Sequence, residues 1–182
     1  MFVLLNGAFG IGKTTVAETL AGRLADVAIY DPERVGFVLR RLPPWLVGRR
    51  KQPDDYQELG LWRRLIVHGA RAAHRRAALV IVPMAFSDLV YFNALADGLG
   101  KDARVEKICL VAPPGVVVAR LRGRAAAEDR EVSDWELRRA EECCWEHRSP
   151  SFGQPVDASR PPPEIVADIL AIIAAGCSDR SS

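Results

Sequence analysis

Nine residues near the start, Gly7-Ala8-Phe9-Gly10-Ile11-Gly12-Lys13-Thr14-Thr15, constrain this chain more than any other stretch. They match the pattern G-x-x-x-x-G-K-[ST] without a gap. Before them runs a short apolar strand, Phe2-Val3-Leu4-Leu5; after them Val16, Leu20 and Leu24 recur every fourth residue beside Ala17 and Ala21, one face of a helix. Glycines admit left-handed backbone angles and bring N–H groups close to an anion. The new helix aims its free N–H groups and positive dipole end at the same point. Lys13 adds a charge over the outer phosphates, and the Thr14 hydroxyl suits a magnesium shell. Gly7, Phe9, Gly10, Ile11, Gly12, Lys13, Thr14 and Thr15 are thus the candidate contacts to ATP, with Thr14 as the protein's ligand to Mg2+. A glycine-rich turn capping an ordinary βα unit is the other reading of this stretch.

The remainder bounds the answer. A chain of 182 residues, about half apolar and a quarter charged, is expected to form one domain, 1–182. The net charge of +2 gives no argument for nucleic acid or an anionic membrane. All but four of the 25 basic residues are arginine, which suits bidentate phosphate contacts. Four cysteines, at 109, 143, 144 and 177, lack paired spacing and read as free thiols in a reducing cytoplasm. The first apolar run is too short for a signal peptide, and no stretch has the length of a transmembrane helix.

Along the chain, Val27-Ala28-Ile29-Tyr30 reads as a second strand ending at Asp31-Pro32-Glu33. Asp followed by Pro is a strong helix start. A strand end beside a phosphate loop is also where an α/β sheet places its substrate, so Asp31 is both a cap and a candidate base or water-mediated metal contact. Gly48–Pro53 reads as a basic loop, and a long helix is expected from Asp54 to His74, whose histidines lack metal spacing. Ala78–Val82 is a buried strand that runs into Pro83-Met84-Ala85-Phe86, with no aspartate where many phosphate-loop enzymes hold magnesium; Ser87-Asp88 reads as the next helix cap. After a fourth strand, Val105–Ala112, come Arg120, Arg122 and Arg124, then a polar connector, Ala125–Val132. The capping box Ser133-Asp134-Trp135-Glu136 opens another helix, expected to bury Trp135, Leu137, Cys144 and Trp145. An arginine-bearing hairpin here reads either as a lid over phosphates, led by Arg120 and Arg124, or as a solvated surface. Pro155-Val156-Asp157 is a short last strand; Ser159 and Arg160 in the loop after it are candidates to border the base. The apolar final helix, Glu164–Ala175, packs on the sheet or touches a membrane surface.

Strands alternating with helices behind a phosphate loop give a compact α/β domain with a parallel sheet. The arrangement resembles the nucleoside-monophosphate-kinase-like group, which implies a three-layer P-loop domain, a five-stranded sheet of order 2-3-1-4-5, a helical substrate region at about 32–75 and a lid at about 120–135. A nearer resemblance is to the TmrB-like tunicamycin-resistance proteins. It is carried by Leu5-Asn6-Gly7-Ala8-Phe9-Gly10, Tyr30-Asp31-Pro32-Glu33, Gly36-Phe37, Leu39-Arg40, Asp55-Tyr56-Gln57, Leu61-Trp62-Arg63, Ile81-Val82-Pro83-Met84, Arg120-Leu121-Arg122 with Arg124, and Ser149-Pro150 with Phe152. That resemblance implies ATP binding and resistance to tunicamycin, with Asp31, Glu33, Phe37, Arg40, Trp62, Arg63 and Met84 on the substrate side. Some readings of the family add a membrane-associated C-terminal segment, so a peripheral membrane contact is a further expectation.

Two functions fit. One is an ATP-dependent phosphotransferase acting on a hydroxyl of tunicamycin or a related nucleoside sugar, with Lys13, Asp31, Arg120 and Arg124 as catalytic residues. The other is a protein that binds the drug when ATP closes the pocket, without turnover. Phe37, Trp45, Tyr56, Trp62, Met84, Phe86, Tyr91 and Phe92 either line an apolar cleft or fill the core.

Overall fold

The computed structural model describes residues 1–43 and 56–178, and these described residues form five strands and seven α-helices, with one or two helices between successive strands. The basic loop, Trp45 and the expected helix start at Asp54 lie outside the described residues. Strand β1 (Phe2–Gly7) is buried along its whole length. It pairs in parallel with β3 (Leu79–Met84) on one side and β4 (Val105–Val111) on the other. β2 (Val27–Ile29) borders β3, and β5 (Gln154–Asp157) borders β4, so the order is β2-β3-β1-β4-β5, as expected.

Successive β1 side chains enter different cores, because a strand alternates its faces. Val3 and Leu5 pack with Val16 and Leu20 of α1 (Lys13–Ala21), Val117 and Leu121 of α5 (Pro114–Ala127), and Val166 and Ile169 of α7 (Pro162–Ser178). Phe2 and Leu4 pack with Trp62 and Ile66 of α3 (Gly60–His74) and Phe92, Leu95 and Leu99 of α4 (Leu89–Gly100). Helices cover both faces, which is why β1 and β3 read as unbroken apolar runs.

Local signals act as their chemistry predicts. Asp88 caps α4 by accepting from the backbone N–H groups of Val90 and Tyr91. Ser133 and Glu136 form a capping box on α6 (Asp134–Glu146). The expected face of α6 is met only in part: Leu137 and Cys144 are half-buried, with Cys144 packed against the core. Ala140 and Cys143 face inward, while Trp135 and Trp145 are 43% and 67% exposed. α5 also runs on to Ala127, further than the irregular connector expected from Ala125.

Trp62, Phe86, Phe92 and Phe152 form a chain of tilted rings with centroids 5.6–6.1 Å apart. It joins α3, the turn after β3, α4 and the approach to β5. Phe92→Ala is expected to lower stability by about 3–5 kcal/mol through the cavity it leaves. A urea titration checks this; an unchanged midpoint would count against the ring chain as a core element.

Candidate functional site

The phosphate loop takes its shape from two left-handed glycines, Gly10 (φ +76°) and Gly12 (φ +105°). At Gly10 a Cβ would also lie 2.5 Å from Leu121 Cγ, so the loop presses directly on α5. Lys13 Nζ donates to the carbonyl oxygens of Gly7 and Ala8, both at 2.9 Å. Burial pulls this ammonium below its ordinary pKa, and the negative charge of Glu33 opposes that pull.

Beside the loop lies a cavity of about 660 Å3, walled by Phe9 to Val16 and by Glu33, Arg120, Arg124 and Arg160. Arg120 is fixed across two segments, its Nη1 donating to Ile11 O at 2.8 Å and to Ala158 O at 2.7 Å. Arg124 is half-exposed and lies 3.6 Å from Glu136 and 3.8 Å from Glu128. Arg122 is exposed and does not line the cavity. Arg160 pairs with Asp168, and Ser159 donates its hydroxyl to Asp157 at 2.6 Å, outside the cavity wall.

Asp31 is the N-cap of α2 (Pro32–Arg40), its Oδ1 accepting from the Glu33 N–H at 2.8 Å. The carboxylate that the fold turns into the cavity is Glu33, two residues on. Of the other expected substrate contacts, Phe37 is 54% exposed and Arg40 is exposed on α2. Arg63 donates to Gln57 O at 2.7 Å and stacks over the Tyr91 ring. Trp62 and Met84 are buried and pack in the core, and the indole N–H of Trp62 donates to Pro32 O at 3.1 Å. Phe86 and Phe92 are likewise core.

One polar group escaped the sequence reading. His147, which caps the C-terminal end of α6, is only 3% exposed. Its Nε2 lies 2.6 Å from Phe86 O, which can only accept, so this nitrogen carries the proton. The same carbonyl accepts from Asn6 Nδ2, and the Phe86 N–H donates to Asn6 Oδ1 at 2.8 Å. The available signal was the inward spacing Ala140, Cys143, His147, which the bulkier tryptophans obscured. Of the four expected free thiols, Cys109, Cys143 and Cys144 are free among the described residues, and the Cys177 side chain lies outside them; burial raises Cys109 to about 12 and Cys143 to about 11. Among the described residues no cluster of His, Cys, Asp or Glu could hold a metal by itself, and no helix is long and apolar enough to cross a membrane.

Burial lowers the His147 imidazole from 6.5 to about 4. Between these values the unfolded chain binds a proton that the native chain excludes, so stability rises with pH across the window. Stability is therefore expected to be complete above roughly pH 6.5 and to fall by on the order of 3 kcal/mol as the pH drops to about 4. Urea titrations across that range should show the slope, and His147→Gln should flatten it.

The AAA domain family matches residues 2–143. The structure is similar to that of the tunicamycin resistance protein of Deinococcus radiodurans, at 29% identity, covering 95% of each chain, with a TM-score of 0.75. A gluconokinase from Sinorhizobium meliloti 1021 (21% identity, 97% of this chain and 93% of that, TM-score 0.69) shares the fold. So does the shikimate kinase of Aquifex aeolicus vf5 (17% identity, 97% and 98%, TM-score 0.59). No curated protein sequence gives a significant match. The resemblance to tunicamycin-resistance proteins expected from the motifs is thus met in the fold and along nearly the whole chain. Because the match runs from β1 through the phosphate loop and the α5 arginines of the cavity into α6, the chain belongs to the AAA domain family, as a nucleotide-binding, kinase-like member.

Proposed function

We propose that the protein is an ATP-dependent phosphotransferase that modifies a hydroxyl of a small molecule, with tunicamycin or a related nucleoside sugar as the substrate class. The observation that carries this is a single cavity in which a carboxylate, Glu33, faces the phosphate-loop lysine and the arginines of α5. The residues fit a nucleotide triphosphate. The loop N–H groups and Lys13 suit the outer phosphates, the Thr14 hydroxyl stands at the start of α1, and Arg120 and Arg124 add positive charge across the cavity. Mg2+, when bound, would neutralise the charge that develops on the transferring group. Thr14 would be its protein ligand, since β3 ends in Pro83 and Met84 with no carboxylate.

In this reading Glu33 orients or deprotonates the attacking hydroxyl, and Asp31 positions Glu33 by capping the first turn of α2. The hairpin of α5 and α6 acts as the lid. Arg124 would leave Glu136 and Glu128 for phosphate oxygens, a stronger acceptor set than two partly exposed carboxylates. The similarity to the Deinococcus protein supports tunicamycin as the first compound to try.

The competing reading is drug binding gated by ATP without turnover. It draws on the missing carboxylate at the end of β3 and on the use of Asp31 as a cap. Incubation with magnesium-ATP and tunicamycin, followed by mass spectrometry, separates the two. A gain of one phosphate is expected, with Glu33→Gln lowering turnover by about 10²- to 10⁴-fold while ATP still binds. Lys13→Ala should abolish both binding and transfer. Drug recovered unmodified while ATP tightens its binding would establish the second reading instead.

A further inference from the structure

Two aromatic side chains beside the nucleotide cavity have no part in the phosphotransfer described above. Phe9, between the loop glycines Gly7 and Gly10, lines the cavity and is half-buried against the core of α1, α5 and α7. Its ring centroid lies 5.7 Å from that of Trp135, with the planes tilted by 60°. Trp135 belongs to the first turn of α6 and is 43% exposed. One turn further on, Arg139 donates to Ser87 Oγ at 3.0 Å, just past β3. The start of α6 thus reaches from the phosphate loop to the end of β3.

That position selects one end of the cavity. Glu33 follows β2 and Arg160 follows β5, and these strands are the two edges of the sheet. β3 lies between β1 and β2, so α6 leans toward the Glu33 side, where the attacking hydroxyl belongs. Trp135 is the single apolar residue in Ser133-Asp134-Trp135-Glu136, a segment otherwise made of polar groups that suit a helix start in water. An indole and a phenyl ring that meet there form one partly wet apolar surface, which a planar ring covers by stacking. The nearby charges narrow the choice. Lys13 Nζ lies 5.8 Å from the Phe9 ring centroid, and Arg124 pairs with Glu136, the residue after Trp135. A cationic acceptor would be repelled by both cations, and an anionic one would compete with the nucleotide phosphates for them. An uncharged planar ring meets neither cost.

We propose that Trp135, backed by Phe9, determines acceptor specificity by stacking on an uncharged planar heterocycle of the acceptor, which leaves the sugar hydroxyl to Glu33; this rests on the reading of the acceptor as a nucleoside sugar. Uridine and 5,6-dihydrouridine test it, since they share their hydrogen-bonding groups while one ring is planar and the other puckered. Binding to the full chain, saturated with magnesium-ADP, is followed by NMR. Uridine is expected to bind at one site, about two- to tenfold more tightly than dihydrouridine, the range that ring-on-ring geometry gives beyond buried area. Trp135→Ala should weaken uridine by about five- to hundredfold, as loss of base–aromatic stacking does, and bring the two nucleosides to the same affinity. Trp135→Phe, which keeps a ring against Phe9, should restore most of the binding, and ADP affinity should be the same in all three proteins. Equal affinity for the two nucleosides, no saturable binding of uridine, an unchanged uridine affinity in Trp135→Ala, or a parallel loss of ADP affinity would each overturn the proposal. Phosphate appearing on tunicamycin while the two nucleosides bind alike would sink this inference and leave the phosphotransfer reading standing. Discrimination between the nucleosides with no transfer would do the reverse.

Discussion

The exchange between the Asn6 side chain and the Phe86 backbone holds the functional end of this molecule together. Asn6 is the last β1 residue before the phosphate loop, and Phe86 follows β3; the amide satisfies both the N–H and the C=O of Phe86 in a buried setting. His147 then adds a second donor to the same carbonyl from α6. Three segments far apart in the chain are thereby pinned at one point. A buried polar group of this kind is costly when left unpaired, so the bonds specify a unique arrangement more than they add stability. The phosphate loop begins one residue after Asn6, and its starting position is set by this contact.

The charges around the loop follow a second logic. Lys13 is half-buried and folded back on loop carbonyls, while Arg120 is locked between the loop and the segment after β5. Both are cations kept in place before any phosphate arrives, so little reorganisation is needed at binding. Arg124 differs: it sits among the carboxylates of Glu128 and Glu136, the latter held down to about 2, chiefly by Arg130. Arg120 is therefore part of the frame, and Arg124 is held by exposed charges that a phosphate can outcompete.

How much was legible depended on how local the cause was. The phosphate loop, the caps at Asp31, Asp88 and Ser133, and the buried runs of β1 and β3 rest on neighbours within a few residues. All of them appear in the structure as read. The inward face of α6 was misread because hydrophobicity favoured Trp135 and Trp145, whereas the residues this helix buries are Ala140 and Cys143. Trp62 and Met84, expected on the substrate side by resemblance, are buried in the core with Phe86 and Phe92. Between Asp31 and Glu33, a helix start was visible in the sequence. Which of the two would face the cavity was not, since that depends on how α2 docks against the sheet.

By itself the sequence determined that a strand, a glycine turn and a helix would present N–H groups and a lysine to an anion, because those requirements are satisfied by adjacent residues. It determined the alternation that makes a parallel sheet covered on both faces. Only the tertiary structure decided which distant groups share the site: Glu33 over Asp31, Arg120 and Arg124 over Arg122, and His147 behind the loop. These choices depend on helix docking and rotation about the strand ends, and packing of side chains separated by up to 141 positions settles them.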